Sequence, residues 1–454
     1  MARPKSIFVC IQCGQSSPKW LGRCPGCGAW SSLEEEVRGP GRPAAAPVAG
    51  EVAPVALGEV RAEEARRLRT GIGELDRALG GGVVAGGVVL LGGDPGIGKS
   101  TLLMQALASL AHRGHRTLYV TGEESAAQIG LRARRLGLPG VEQVQVLAVT
   151  ELEPVERAVE RVAPEVVVVD SIQTLRSAEL EASPGTVSQL REVTGRLTDA
   201  AKKAGVGVFL IGHVTKEGAL AGPKVLEHLV DTVLAFEGDA SHAFRLVRAT
   251  KNRFGATHEV GVFEMAQEGL REVADPSRLL LAERPEATPG SIVLTTAEGT
   301  RPLCVEVQAL VAKAAFGSAR RVASGVDANR LGILLAVLER KVGIQVLDQD
   351  VFASVAGGVR VDERALDLAL AVAVVSSLRD RPPSGNLAVF GEVGLAGEVR
   401  GVPRAGARVG EARKLGLTRI VLPRTNAESL SAEERAGLEL RPVSRLSEAL
   451  EAAL

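Results

Sequence analysis

The chain has 454 residues, enough for two to four domains at roughly 100–200 residues each, and 45% hydrophobic content lets each of them bury a core. A formal net charge of +0 excludes a basic nucleic-acid coat and confines any nucleic-acid contact to local patches. Only 3% of residues are aromatic, which argues against a mechanism built on a broad platform of stacked rings.

The first residues, Met1-Ala2-Arg3-Pro4-Lys5, have no apolar run behind them, so no signal peptide is expected. Apolar stretches such as 366–375 fall short of the ~20 residues a membrane span needs, and the expected location is the cytoplasm with no membrane partner. Residues 1–33 are poor in apolar side chains and rich in Cys and Gly. Cys10-x2-Cys13 and Cys24-x2-Cys27 supply two knuckles whose four thiolates suit a closed tetrahedral Zn2+ site rather than a redox dithiol. With so little core, metal binding must supply most of this segment's folding energy. Residues 34–58, rich in Pro, Gly and Ala, read as a flexible linker.

From 59 to 278, apolar strand-like runs alternate with amphipathic stretches, the pattern of a mostly parallel sheet covered by helices. The strand at 87–91 runs into Gly93-Asp94-Pro95-Gly96-Ile97-Gly98-Lys99-Ser100, and Thr101 opens a helical stretch. Strand, Gly-x4-Gly-Lys-Ser and helix in that order form a phosphate loop for ATP: backbone N–H groups and a helix N-terminus cradle the phosphates, Lys99 reaches the β- and γ-phosphates, and Ser100 ligates Mg2+.

Two further strands deliver acids to the same sheet edge. The run 165–170 ends at Asp170, expected to hold magnesium through water. The run 118–125 ends at Glu123 and Glu124, with Glu123 as the base for the attacking water and Glu124 as its support. A third strand, 206–211, leads to His213, a candidate γ-phosphate sensor; the Gly-rich loop after it carries Lys216 and Lys224, candidates for phosphate contacts with DNA. Residues 285–454 read as a second, α+β domain, in which Cys304 sits in an apolar strand as a core residue.

The cysteine quartet with the surrounding segment from Pro18 to Gly28, the phosphate loop, and Lys251-Asn252-Arg253-Phe254-Gly255 together closely resemble the bacterial RadA (Sms) DNA repair family, over nearly the whole chain. The resemblance implies an α/β architecture: a zinc ribbon, a RecA-like ATPase core and a C-terminal domain similar to that of Lon protease. It further implies a DNA-dependent ATPase, assembled as a homohexamer, that drives branch migration on single-stranded DNA in recombination intermediates, with RecA recombinase as a partner. The alternative is a nucleotide-switched DNA-binding scaffold without motor activity. In the pentapeptide, Lys251 and Arg253 are expected to share one side of an extended strand. They either reach a neighbouring subunit's nucleotide, as an arginine finger does, or contact DNA together with Asn252. Lon uses a serine and a lysine; the matching stretch Asp362-Glu363-Arg364-Ala365-Leu366-Asp367 places Ala365 at the nucleophile, and 397–408 holds arginines at 400, 404 and 408 but no lysine, so no peptidase activity is expected. Arg320, Arg321, Arg330 and Lys341 then offer a surface for DNA.

Overall fold

The computed structural model describes residues 5–10, 15–26, 28–38, 67–213, 225–238, 244–257, 259–285, 287–314, 319–383 and 385–454. The chain divides into two units, Met1–Glu272 and Val273–Leu454. Among the described residues no helix is long and apolar enough to cross a membrane.

At the start, β1 (Lys5–Cys10), β2 (Ser16–Ser17) and β3 (Leu33–Arg38) form a small antiparallel sheet in the order β2-β1-β3. The acidic run expected to begin a linker at 34 is therefore still strand: Glu34, Glu35 and Glu36 stand opposite Val9, Phe8 and Ile7. Residues 39–58 of that expected linker lie outside the described residues.

The main sheet of the first unit has nine strands. In chain order they are β4 (Val88–Gly93), β5 (Thr117–Thr121), β6 (Gln145–Ala148), β7 (Val166–Asp170), β8 (Gly207–His213), β9 (Thr232–Glu237), β10 (Phe244–Asn252), β11 (Val260–Ala266) and β12 (Gly269–Glu272). Their spatial order is β12-β11-β10-β9-β4-β8-β7-β5-β6. Strands β9, β4, β8, β7, β5 and β6 are parallel, and β10, β11 and β12 extend the sheet antiparallel. Central strands are apolar at every position because both faces are covered. Val89 and Leu91 of β4, Val168 of β7 and Phe209 of β8 enter one core cluster; Val88, Leu90, Val167 and Leu210 enter the other. The period-2 alternation of side chains thus splits one strand between two cores. Helix α1 (Lys99–His112) packs in the first core, and α2 (Ala126–Leu136) begins at a capping box of Ser125 and Gln128.

Parallel pairing gathers the carboxyl ends. Thr121 lies beside Asp170, and His213 beside Gly93, so the loops after β4, β5, β7 and β8 leave the same edge of the sheet. This edge is where open α/β sheets bind ligands.

The second unit carries a seven-stranded sheet. Its strands are β13 (Ser291–Glu298), β14 (Arg301–Lys313), β15 (Arg321–Ser324), β16 (Gln349–Val355), β17 (Leu387–Val389), β18 (Arg419–Pro423) and β19 (Glu439–Val443), in the order β15-β16-β14-β13-β17-β18-β19. Helix α3 (Leu366–Leu378), LDLALAVAVVSSL, is apolar nearly all round and correspondingly buried. Residues 273–285, around the expected junction of the 59–278 and 285–454 domains, belong to this unit. Pro276–Leu280 is a short helix capped by Asp275, and Ser277 Oγ accepts from the backbone of Cys304 at 3.0 Å. Cys304 is buried in β14, as expected of a core residue, and burial pushes its thiol well above the usual range.

Candidate active site

The loop between β4 and α1 is shaped by its glycines. Gly96 and Gly98 take φ of +78° and +116°, a region that side chains with a Cβ avoid. Gly98 is also the N-cap of α1 and offers no side chain to the N–H groups of the helix's first turn. Those donors, at Lys99, Ser100 and Thr101, have no intrahelical acceptor, and with the helix dipole they suit an anion. Asp94, Pro95 and Gly96 are exposed, whereas Gly93 and Ile97 are buried and anchor the loop. The buried Lys99 ammonium donates to the carbonyls of Gly93 (2.7 Å) and Asp94 (2.8 Å). Burial lowers its pKa, against the upward pull of Asp170, Asp94 and Glu123. Asp170 and the turn that carries Glu123 leave the same sheet edge as this loop.

Asp170 ends β7 and is buried, with its Oδ2 accepting from the Tyr119 hydroxyl. Glu123 is exposed on the turn after β5, where Ser171 Oγ donates to its Oε1 at 2.5 Å. This turn is tight. Gly122 N–H donates to Asp170 O at 3.0 Å, and a Cβ on Gly122 would fall 2.1 Å from Thr174 Oγ1. Glu124 stands apart from Glu123: its Oε2 pairs with Arg132 of α2 at 2.6 Å. Arg132 Nη2 also donates to Tyr119 Oη at 3.0 Å and lies 3.9 Å from Asp170 Oδ2. Burial and then the Asp170 carboxylate push the Tyr119 phenol far up, with Arg132 acting the other way. Tyr119, Arg132 and Ser171 are the site residues that sequence reasoning missed. His213 closes β8 beside Gly93 at the carboxyl edge. Lys216 and Lys224 lie outside the described residues.

The pentapeptide sits at the other end of the sheet. Strand β10 runs antiparallel to β9, so Asn252 pairs with Thr232 and lies near the start of β4. Phe254 lines a small cavity with Gly87, Val89 and Thr232. Five strand steps at ~3.3 Å separate this end of β4 from Gly93, about 17 Å in all. Lys251 Nζ donates to the carbonyls of Glu227 (2.5 Å) and Val230 (2.7 Å), and burial, then Arg253, lower its pKa. Arg253 pairs with Asp231 Oδ1 at 3.1 Å and leaves 54% of its side chain exposed. Asp231 Oδ2 accepts from Val88 N–H at 3.1 Å, which ties the pentapeptide to the root of β4. Asn252 is buried; its amide donates to Leu79 O, and its carbonyl accepts from Phe254 N–H and Thr232 Oγ1. That corrects the placement of Asn252 on a DNA-contact surface: its polar atoms are spent on bracing the turn.

In the ribbon, Cys10 and Cys24 are buried in one cluster with Leu33. Both knuckles close alike: Cys10 N–H donates to Gln15 O and Cys24 N–H to Ala29 O, each five residues on. Gly26 N–H points at Cys24 Sγ at 3.4 Å, an amide-to-sulfur bond that stabilises a thiolate. These two residues fit a thiolate metal site; Cys13 and Cys27 lie outside the described residues.

In the second unit Ala365 is 1% exposed at the N-cap of α3. Two ion pairs flank it. Arg330 pairs with Asp367, which also accepts from Val393 N–H. Arg408, fully buried, pairs with Glu363 through Nη1 (2.8 Å) and Nη2 (2.6 Å), and donates to Thr295 O and Pro403 O. Arg330 is therefore an internal strut, which corrects its expected place on a DNA-facing surface. Arg320 pairs with Asp350, while Lys341 is exposed.

With the geometry in place, the comparisons agree. An AAA domain matches residues 56–219, a rubredoxin metal binding domain residues 8–35, and the Lon protease (S16) C-terminal proteolytic domain residues 345–454. The chain is 52% identical over 455 residues to the DNA repair protein RadA of Pseudomonas aeruginosa, covering 100% of this chain and 99% of that one. It is 48% identical over 459 residues to RadA of Bacillus subtilis, covering 100% of both, and 48% identical over 460 residues to RadA of Escherichia coli, covering 98% of each. A zinc ribbon, an ATPase core and a Lon-like domain in one chain, with identity running end to end, make this protein a member of the DNA repair protein RadA family.

Proposed function

We propose that the chain is a DNA-dependent ATPase of recombinational repair that works as a homohexameric ring in the cytoplasm. Hydrolysis drives it along single-stranded DNA in branched recombination intermediates, in branch migration with RecA recombinase. The observation that carries this reading is that the glycine-shaped loop of Lys99, the strand end of Asp170 and the turn of Glu123 leave one edge of a parallel sheet. Amides of residues 96–101 and Lys99 hold the phosphates of ATP, and Ser100 and Asp170 hold Mg2+. When bound, the ion neutralises charge developing on the phosphates. Glu123, positioned by Ser171, takes the proton of the attacking water. Four ribbon cysteines, Cys10, Cys13, Cys24 and Cys27, hold Zn2+.

Coupling between subunits rests on the sheet's two edges. Arg253 lies about 17 Å from the loop of its own chain, measured along β4, and so serves a neighbour's nucleotide in a ring of heterologous contacts. Lys251, clamped on two carbonyls, sets the frame for Arg253. Lysines 216 and 224 contact DNA phosphates in the channel. The test is ATP hydrolysis by the full chain with and without single-stranded DNA, alongside displacement of a labelled strand from a three-stranded junction. Stimulation with directional displacement, both lost in Lys99→Ala, is the expected result. Hydrolysis indifferent to DNA would refute the motor, and DNA binding that follows nucleotide state without turnover would favour the switched scaffold.

A further inference from the structure

The chain contains one tyrosine, and it is fully buried against Asp170, one of the groups read as magnesium ligands. A phenol has one hydrogen to give and two lone pairs to fill. Tyr119 Oη accepts from Arg132 Nη2 at 3.0 Å and donates to Asp170 Oδ2. With Arg132 obliged to donate and the Asp170 carboxylate obliged to accept, the phenol's own hydrogen goes to Asp170.

That assignment has a consequence for the metal. An aspartate whose Oδ2 is held by Tyr119 has Oδ1 as the oxygen on which the phenol makes no demand. We infer that Tyr119 is a positioning residue for magnesium, orienting Asp170, with Arg132 and Glu124 fixing the tyrosine in turn. The chain Glu124–Arg132–Tyr119 runs from the turn that carries the general base to the strand end that carries the metal ligand. Glu124 thereby gains a role distinct from supporting Glu123.

The inference rests on the phosphate loop and Asp170 forming a magnesium–nucleotide site, so the test separates the two. Mn2+ is titrated into the full chain with saturating ADP, and free Mn2+ is read by electron paramagnetic resonance. Wild type is compared with Tyr119→Phe, which deletes one oxygen and keeps the ring, and with Lys99→Ala. Partners that orient metal ligands are worth about 10–100-fold in metal affinity, so Tyr119→Phe should raise the Mn2+ midpoint by that factor. ADP affinity measured without metal should stay within about twofold, and ATPase activity should recover toward wild type at high Mg2+. If Tyr119→Phe does not fold, as judged by circular dichroism, Arg132→Gln is titrated instead and should raise the midpoint in the same direction. A midpoint unchanged in the folded variant, with turnover reduced equally at all Mg2+ concentrations, overturns the inference and leaves Tyr119 a core residue. Wild type that binds Mn2+ with ADP no better than Lys99→Ala sinks the magnesium-site reading itself.

Discussion

Arg253→Ala provides the sharpest perturbation of subunit coupling. Among the described residues Arg253 pairs with Asp231 at 3.1 Å, with more than half of the arginine side chain in solvent. An ion pair that exposed is worth about 0–1 kcal/mol, so releasing it costs the fold little. An arginine finger stabilises phosphoryl transfer by a factor of about 10³–10⁵, which converts to about 4–7 kcal/mol at 1.36 kcal/mol per tenfold. Turnover should therefore fall by at least about 10³ while nucleotide affinity changes by less than about tenfold, because the loop is about 17 Å away in the same chain. The decisive assay mixes two inactive proteins. Arg253→Ala keeps an intact loop; Lys99→Ala keeps an intact finger. In randomly mixed rings about a quarter of the interfaces pair a good loop with a good finger, so ATPase activity should return to about a quarter of wild type. Mixtures that stay inactive, in rings shown to exchange subunits, would refute action across the interface and point to DNA contact instead.

Further outcomes follow from the same geometry. Glu123→Gln keeps a group to accept from Ser171 Oγ but cannot take a proton, so hydrolysis should fall about 10²–10⁴-fold with nucleotide binding retained, measured by single-turnover kinetics against a fluorescent ADP titration. Gly122→Ala drives a Cβ to 2.1 Å from Thr174 Oγ1 and must displace the turn that carries Glu123; turnover should drop about 10²-fold, and an unaffected rate would show the turn to be plastic. Arg408→Ala leaves Glu363 and the carbonyls of Thr295 and Pro403 without their donor, and urea denaturation of the full chain should show the transition of the second unit weakened by about 3–5 kcal/mol. Ala365→Ser should give no cleavage of casein.

What could be read in the sequence was what is local. A strand, a glycine loop and a helix follow one another within residues 88–112, so the phosphate loop announces its own context. Glu123 and Asp170 were equally visible, because an apolar strand that stops at an acid fixes which edge the acid occupies. Other features depend on tertiary phase. Tyr119 sits mid-strand among apolar neighbours and reads as core; its hydroxyl becomes informative only when Arg132 and Asp170 arrive from elsewhere in the chain. Arg132 is one of three arginines in α2, and nothing local says which one turns inward. Asn252, between two cations, reads as surface. The pairing of β9 with β10 slips at Thr250, so Val233 faces Lys251 while Leu234 faces Ala249. A bulge of this kind reverses the in–out alternation beyond it and puts Asn252 inside. Charge also misleads at Arg330, which is a strut because Asp367 meets it.

The struts Arg330 and Arg408, with Ala365, are the ground for expecting a protease-like fold without protease chemistry. A peptidase must keep a hydroxyl and a base uncommitted at the head of α3. Here the head of the helix is Ala365, and the charges on either side of it are already spent. Asp367 is held by Arg330 and by the Val393 amide, and Glu363 by Arg408 and the Ala297 amide. Replacing a nucleophile and its base by saturated ion pairs converts a reactive pocket into a joint between helix and sheet. Such pairs add little net stability, since desolvation offsets attraction, but breaking one is costly, so they favour one arrangement of the elements they join. A serine at 365 would stand beside an arginine that cannot give up a proton at any working pH.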